Sequence, residues 1–112
     1  MIEVAVLNYL KDIFKNIPVV MEIPRNVPDE FILLEKTGSI RSDRLMSSTF
    51  AVQSWAGSMY RAMSLNEEVV EAMLSITTIK EVSSVQLNSD YNYTDVETKH
   101  PRYQAVFNLV HY

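Results

Sequence analysis

The sequence predicts an α+β fold: a four- to five-stranded mixed or antiparallel sheet with two helices packed on one face, in the order α-β-β-β-α-β-β. Three observations predict it. Two stretches, 2–16 and 58–76, carry apolar residues at helical spacing. Further runs at 30–38, 45–56, 82–88 and 102–112 are continuously apolar or alternate with period two. Only 2 glycines and 4 prolines occur in 112 residues, which favours well-formed elements over a loop-rich chain. That length fits a single domain, 1–112, with one buried core.

In the first helix Ile2, Val6, Tyr9, Leu10 and Ile13 form the apolar stripe, while Glu3, Asp12 and Lys15 lie off it. "NIP" ends it, because Pro18 disfavours helix at Ile17. "VVME" (19–22) is a short extended piece closed by Pro24, and 25–30 is a loop. Phe31 to Leu34 are apolar without a break, the pattern of a central strand covered on both faces. The spacing predicts a longish loop, "SIRSDR" (39–44), leading into the strand 45–56. There Met46, Phe50 and Val52 share one side, and Thr49, Gln53 and Trp55 the other.

Ser58 opens the second helix, its hydroxyl able to cap the first-turn N–H groups. Ala62, Leu65, Val69, Met73 and Ile76 form its stripe, with Arg61, Glu67, Glu68 and Glu71 toward water. "SLNE" (64–67) matches a capping box, yet the stripe runs straight through it, so it marks no helix start. Met73 is core; Met59 and Met63, on a neighbouring line, are either core or an adaptable contact surface. In the final strand Tyr103, Ala105, Phe107 and Leu109 oppose Gln104, Val106 and Asn108.

Composition closes several routes. With no cysteine there is no disulfide, thiolate zinc site or cysteine nucleophile. A net charge of −4 with scattered Lys and Arg argues against specific nucleic-acid binding. The N-terminus lacks the basic region of a signal peptide, and no apolar run has the ~18 residues of a membrane helix. A soluble, cytoplasmically made protein without membrane association is expected.

The connection "LNSDYNYTDVETKHPRYQ" (87–104) concentrates the functional side chains. Asp90, Asp95, Glu97 and His100 fit no calcium-loop spacing, and a polar hairpin connection accounts for them. No glycine-flanked serine accompanies His100 or His111, both of which read as surface histidines, and Gly38 and Gly57 stand alone rather than in a phosphate loop. No catalytic residue, cofactor or metal site is expected. Trp55, beside Gln53, either stands exposed as an aromatic anchor for a partner or turns inward at the strand end. Tyr91 and Tyr93 either fold back over the sheet or meet another chain, and a second chain is the better reading for at least one.

The blocks "EKTG", "QSWA", "NSDYNYTD" and "RYQAVFNL", in that order behind an N-terminal helix, cover nearly the whole length. Through them the chain resembles the small tail terminator (tail completion or head–tail joining) proteins of long-tailed bacteriophages and prophages. The resemblance implies a compact, non-enzymatic α+β subunit that caps the tail tube as a six-fold ring, stops its growth and joins the DNA-filled head. Its implied partners are copies of itself, the tail tube protein and the head or neck connector. Its implied place is the tail or neck of the virion, after assembly in the bacterial cytoplasm. Ring contacts are heterologous, so two different surfaces of one chain must match; Gln53 and Trp55 with Tyr91, Tyr93 and Asp95 are the expected pair. An acidic subunit also suits a lumen through which DNA slides without binding. Alternatives are a head-side neck or closure (connector) protein, a small non-catalytic adaptor, and an enzyme using the 90–100 loop.

Overall fold

A computed structural model describes residues 1–112. Helix α1 (Ile2–Ile13) leads to the two-residue strand β1 (Val19–Val20), then β2 (Phe31–Ser42) and β3 (Leu45–Trp55). Helix α2 (Met59–Leu74) and a 3-10 turn (Ile76–Thr78) follow, then β4 (Val82–Asn92) and β5 (Arg102–His111). The five strands form one mixed sheet in the order β1-β2-β3-β5-β4, with β1 parallel to β2 and all other neighbours antiparallel. The expected α+β order holds throughout.

Both helices press their stripes onto the same sheet face. Val6 and Leu10 of α1 and Leu65, Val69 and Met73 of α2 meet Ile32, Leu34, Phe50, Val52, Ala105, Phe107 and Leu109 in one core. Ser58 caps α2 as its position predicts, its Oγ accepting from the Arg61 N–H at 3.2 Å. Such a cap contributes about 1 kcal/mol. Each fully buried Leu, Val or Met contributes about 1.5–3 kcal/mol, so packing rather than capping holds the helix. Tyr9 adds a polar tie between the helices, its hydroxyl donating to the Ala72 carbonyl at 2.6 Å. Burial pushes the Tyr9 phenol above its ordinary pKa, which keeps that donor protonated. Arg61 forms a two-pronged pair with Glu30 at 2.8 Å per contact, tying α2 to the start of β2. The guanidinium holds Glu30 below the usual carboxylate range.

Helix α1 ends at Ile13 rather than at residue 16, and three further elements depart from the sequence expectation. The loop at 39–44 is instead strand up to Ser42, closed by a two-residue turn, Asp43–Arg44. Asp43 takes the left-handed backbone at φ 55, a conformation its short polar side chain tolerates without glycine. Strand β4 runs on to Asn92, so the true β4–β5 connection is only 93–101. Helix α2 ends at Leu74, and Ile76 reaches the core from the 3-10 turn.

Candidate interaction site

The sheet face away from the helices carries a second, smaller packed cluster at the end where β2 starts and β3 stops. Register brings it together: Phe31 pairs with Trp55, Trp55 with Arg102, Gln53 with Gln104, and Gln104 with Tyr91. Phe31 stacks on Trp55 with ring centroids 4.9 Å apart. The guanidinium carbon of Arg102 lies 4.8 Å from the Trp55 ring and 4.8 Å from the Tyr93 ring, so one cation is held between two aromatic faces. Tyr91 meets Tyr93 edge to face at 5.9 Å, and His100 packs its edge on Trp55 at 4.9 Å.

A row of hydrogen bonds crosses three strands beneath these rings. The Trp55 indole N–H donates to Gln53 Oε1 at 2.9 Å, Gln53 Nε2 to Gln104 Oε1 at 3.0 Å, and Gln104 Nε2 to the Tyr91 hydroxyl oxygen at 2.6 Å. An indole has no acceptor, so its position fixes which end of each amide faces which neighbour.

The 93–101 connection closes over this cluster and is rigidly tied. Asp95 accepts from the Glu97 N–H at 3.1 Å and from the Thr98 hydroxyl at 3.2 Å, while its carbonyl accepts from the Lys99 N–H at 2.8 Å. The Glu97 amide is the main reason the Asp95 carboxyl lies below the usual range; the Thr98 bonds and the Arg102 charge add to it against partial desolvation. Lys99 takes φ 56 to complete the turn. The Ala56 N–H donates to the Pro101 carbonyl at 3.1 Å, and Arg102 Nε donates to the Tyr93 carbonyl, anchoring both ends.

All five expected interface residues therefore gather at one end of the molecule, with their roles divided. Gln53 and Trp55 are buried, Trp55 to 6 % exposure. The exposed-anchor reading of Trp55 is corrected: alternation does put it on the outer face, but the 93–101 connection covers that face. Asp95 organises the connection from within it. Tyr91 and Tyr93 remain 39 % and 43 % exposed, and Val96 at the tip is 84 % exposed. Arg102, Gln104 and Phe31 complete the cluster unforeseen. The Gln104–Arg102 spacing mirrors Gln53–Trp55 in reverse, which is legible only once β3 and β5 are known to be neighbours.

The remaining candidates separate in space. Asp90 points to the helix side, where Asn66 Nδ2 donates to its carboxylate at 2.9 Å, away from Asp95 and His100. No group of three or more His, Asp or Glu is placed to hold a metal ion. His111 is buried rather than a frayed surface residue, since β5 pairs with both β3 and β4 as far as its end. Its Nε2 lies 2.7 Å from Ser48 Oγ, and its Nδ1 lies 3.3 Å from the Tyr112 carbonyl. The pair has the composition of a nucleophile and base, and both residues are buried.

No helix is long and apolar enough to cross a membrane. No protein-family model matches the chain, and no curated protein matches it.

Proposed function

We propose that the chain is a structural subunit of a long-tailed phage or prophage virion, which caps the tail tube as a homomeric, six-fold ring. In that position it ends tail polymerisation and forms the junction with the head, touching the tube protein on one side and the connector on the other. It works without catalysis or cofactor, and DNA passes its lumen without specific binding.

The observation that carries this reading is the preorganised aromatic end. Tyr91, Tyr93 and Val96 are held out to solvent by Arg102, the amide row and the Asp95 turn. Exposed aromatic rings whose rotamers are already fixed lose little entropy on docking, which suits a permanent assembly contact. The resemblance to tail terminators supplies the direction of the reading, since "QSWA", "NSDYNYTD" and the start of "RYQAVFNL" build this same end.

Electron microscopy of particles produced without the gene tests it. Filled heads separated from tails of excessive, variable length are expected. Separated heads with tails of normal length would move the protein to the head-side neck. Intact particles with uniform tails would overturn the proposal.

A further inference from the structure

An open groove of about 1030 Å³ runs between α1 and α2. Its α1 wall is apolar, formed by Tyr9, Ile13 and, just past the helix, Phe14. Its other wall carries Glu67, Glu68 and Glu71 of α2 and Asp90 of β4, and no lysine or arginine lines it. None of these four carboxylates has a cationic partner within 4.0 Å. Behind Asp90, Asn66 is buried with its Oδ1 unpaired. The volume is at the upper end of the roughly 300–1,000 Å³ that holds a compact ligand, so it admits several side chains at once.

The chain carries a segment of matching chemistry at the β2–β3 corner. There β2 has no outer neighbour, because β1 reaches only Ile32 and Leu33. Ile40 pairs with Ser47 and Arg41 with Met46, so Ile40 and Leu45 share one face of the ribbon and Arg41 occupies the other. Ile40 is 72 % exposed, Leu45 is also exposed, and neither Arg41 nor Arg44 is paired with a carboxylate. Asp43 lies between the two arginines in the turn. The apolar and basic side chains of the corner thus answer the apolar α1 wall and the carboxylates that α2 and β4 set beside Val70 and Ala72.

We propose that the β2–β3 corner of one copy seats in the α1–α2 groove of the next, with Ile40 and Leu45 against α1 and Arg41 and Arg44 against the α2 carboxylates. Corner and groove are different surfaces of one chain, so the contact is head to tail and propagates from copy to copy. It rests on the ring-subunit reading and names the surface by which the ring closes.

Sedimentation velocity of the full chain over a concentration series tests it. The native chain self-associates, less at high salt, because the paired charges are screened. Arg41→Glu/Arg44→Glu and Glu67→Lys/Glu71→Lys each weaken association by about tenfold or more. Mixing the two variants restores it, since each then offers the other's complement. Circular dichroism checks that both keep the fold. The chain has no cysteine, so a Leu45→Cys/Ile13→Cys variant provides a separate readout: oxidation links successive copies into a ladder. A native chain that stays monomeric at every concentration, a mixture no better than its components, or the absence of a ladder overturns the proposal. So does loss of association in the groove variant alone, which means another segment fills the groove. Altered tails on gene deletion with unchanged assembly of both variants would reject this contact and keep the tail-end reading. Charge-dependent association with normal tails would do the reverse.

Discussion

Trp55 and Arg102 face each other across the β3–β5 ladder, the guanidinium carbon 4.8 Å from the indole centroid. The pair joins the strand that ends the core hairpin to the strand that follows the 93–101 connection. Trp55→Ala removes the ring that Phe31, His100 and Arg102 all pack on, at a cost of about 3–5 kcal/mol. Arg102→Met keeps the aliphatic stem and loses the cation and its bond to the Tyr93 carbonyl, at about 1–2 kcal/mol. Urea unfolding of both variants measures the difference; equal costs would mean that the charge contributes as much as the whole indole.

Gln104 sits in the middle of the amide row, so its loss strands groups on both sides. Gln104→Met leaves the Gln53 amide and the Gln104-facing lone pair of Tyr91 without partners, and costs about 1–3 kcal/mol. Adding Gln53→Met removes one of the orphaned groups, and the double variant is expected to lose less than the two single losses combined. Strict additivity in a double-mutant cycle would show that the row does not act as a unit.

Acid is expected to loosen the 93–101 connection. The folded Asp95 pKa is depressed, so its stabilisation is complete above the ordinary carboxylate range and is lost as pH falls through the folded value. Trp55 is the sole tryptophan and lies under that connection, so its emission reports the opening directly. Asp95→Asn should flatten the acid response of that emission. Glu3 and Glu30 also have lowered values but lie elsewhere, and an unaltered profile in the variant would assign the response to them.

Val96→Asp separates partner contact from folding. The side chain is almost fully exposed, so stability should change by no more than about 0.5 kcal/mol. A charge placed on the exposed 93–101 connection should nevertheless weaken docking of whatever covers it. Under the proposed function, pull-down with tail-tube and connector proteins checks this, and undiminished capture of both would remove the aromatic tip from the interface.

Hydrophobic periodicity carried the architecture, because both helices and the inner parts of β2, β3 and β5 bury apolar residues at regular spacing. It could not give the strand order. Trp55 and Arg102 are neighbours through a crossover that takes in all of α2 and β4. Alternation placed Trp55 on the correct face of β3, yet what covers a face is decided by a distant connection, here 93–101. The turn at Asp43 was hidden for a local reason: "SIRSDR" has no glycine or asparagine, and its one aspartate tolerates the left-handed backbone without demanding it. The burial of His111 was hidden because its partners, Met46 of β3 and Val82 of β4, are distant in sequence. A chain end frays unless both its sides are paired, and only the topology reveals that they are.

The amide row also has a polarity. Because the indole can only give a proton, the sense of every later link is inherited, and the phenol at the far end receives a bond while keeping its own hydrogen unspent. What the molecule shows at Tyr91 is therefore a poised donor with a direction set three strands away. A neighbouring chain that brings a carbonyl or carboxylate to that spot completes the series, whereas one that brings an amide hydrogen gains less. The direction of that donor is thus set by an indole that the 93–101 connection covers.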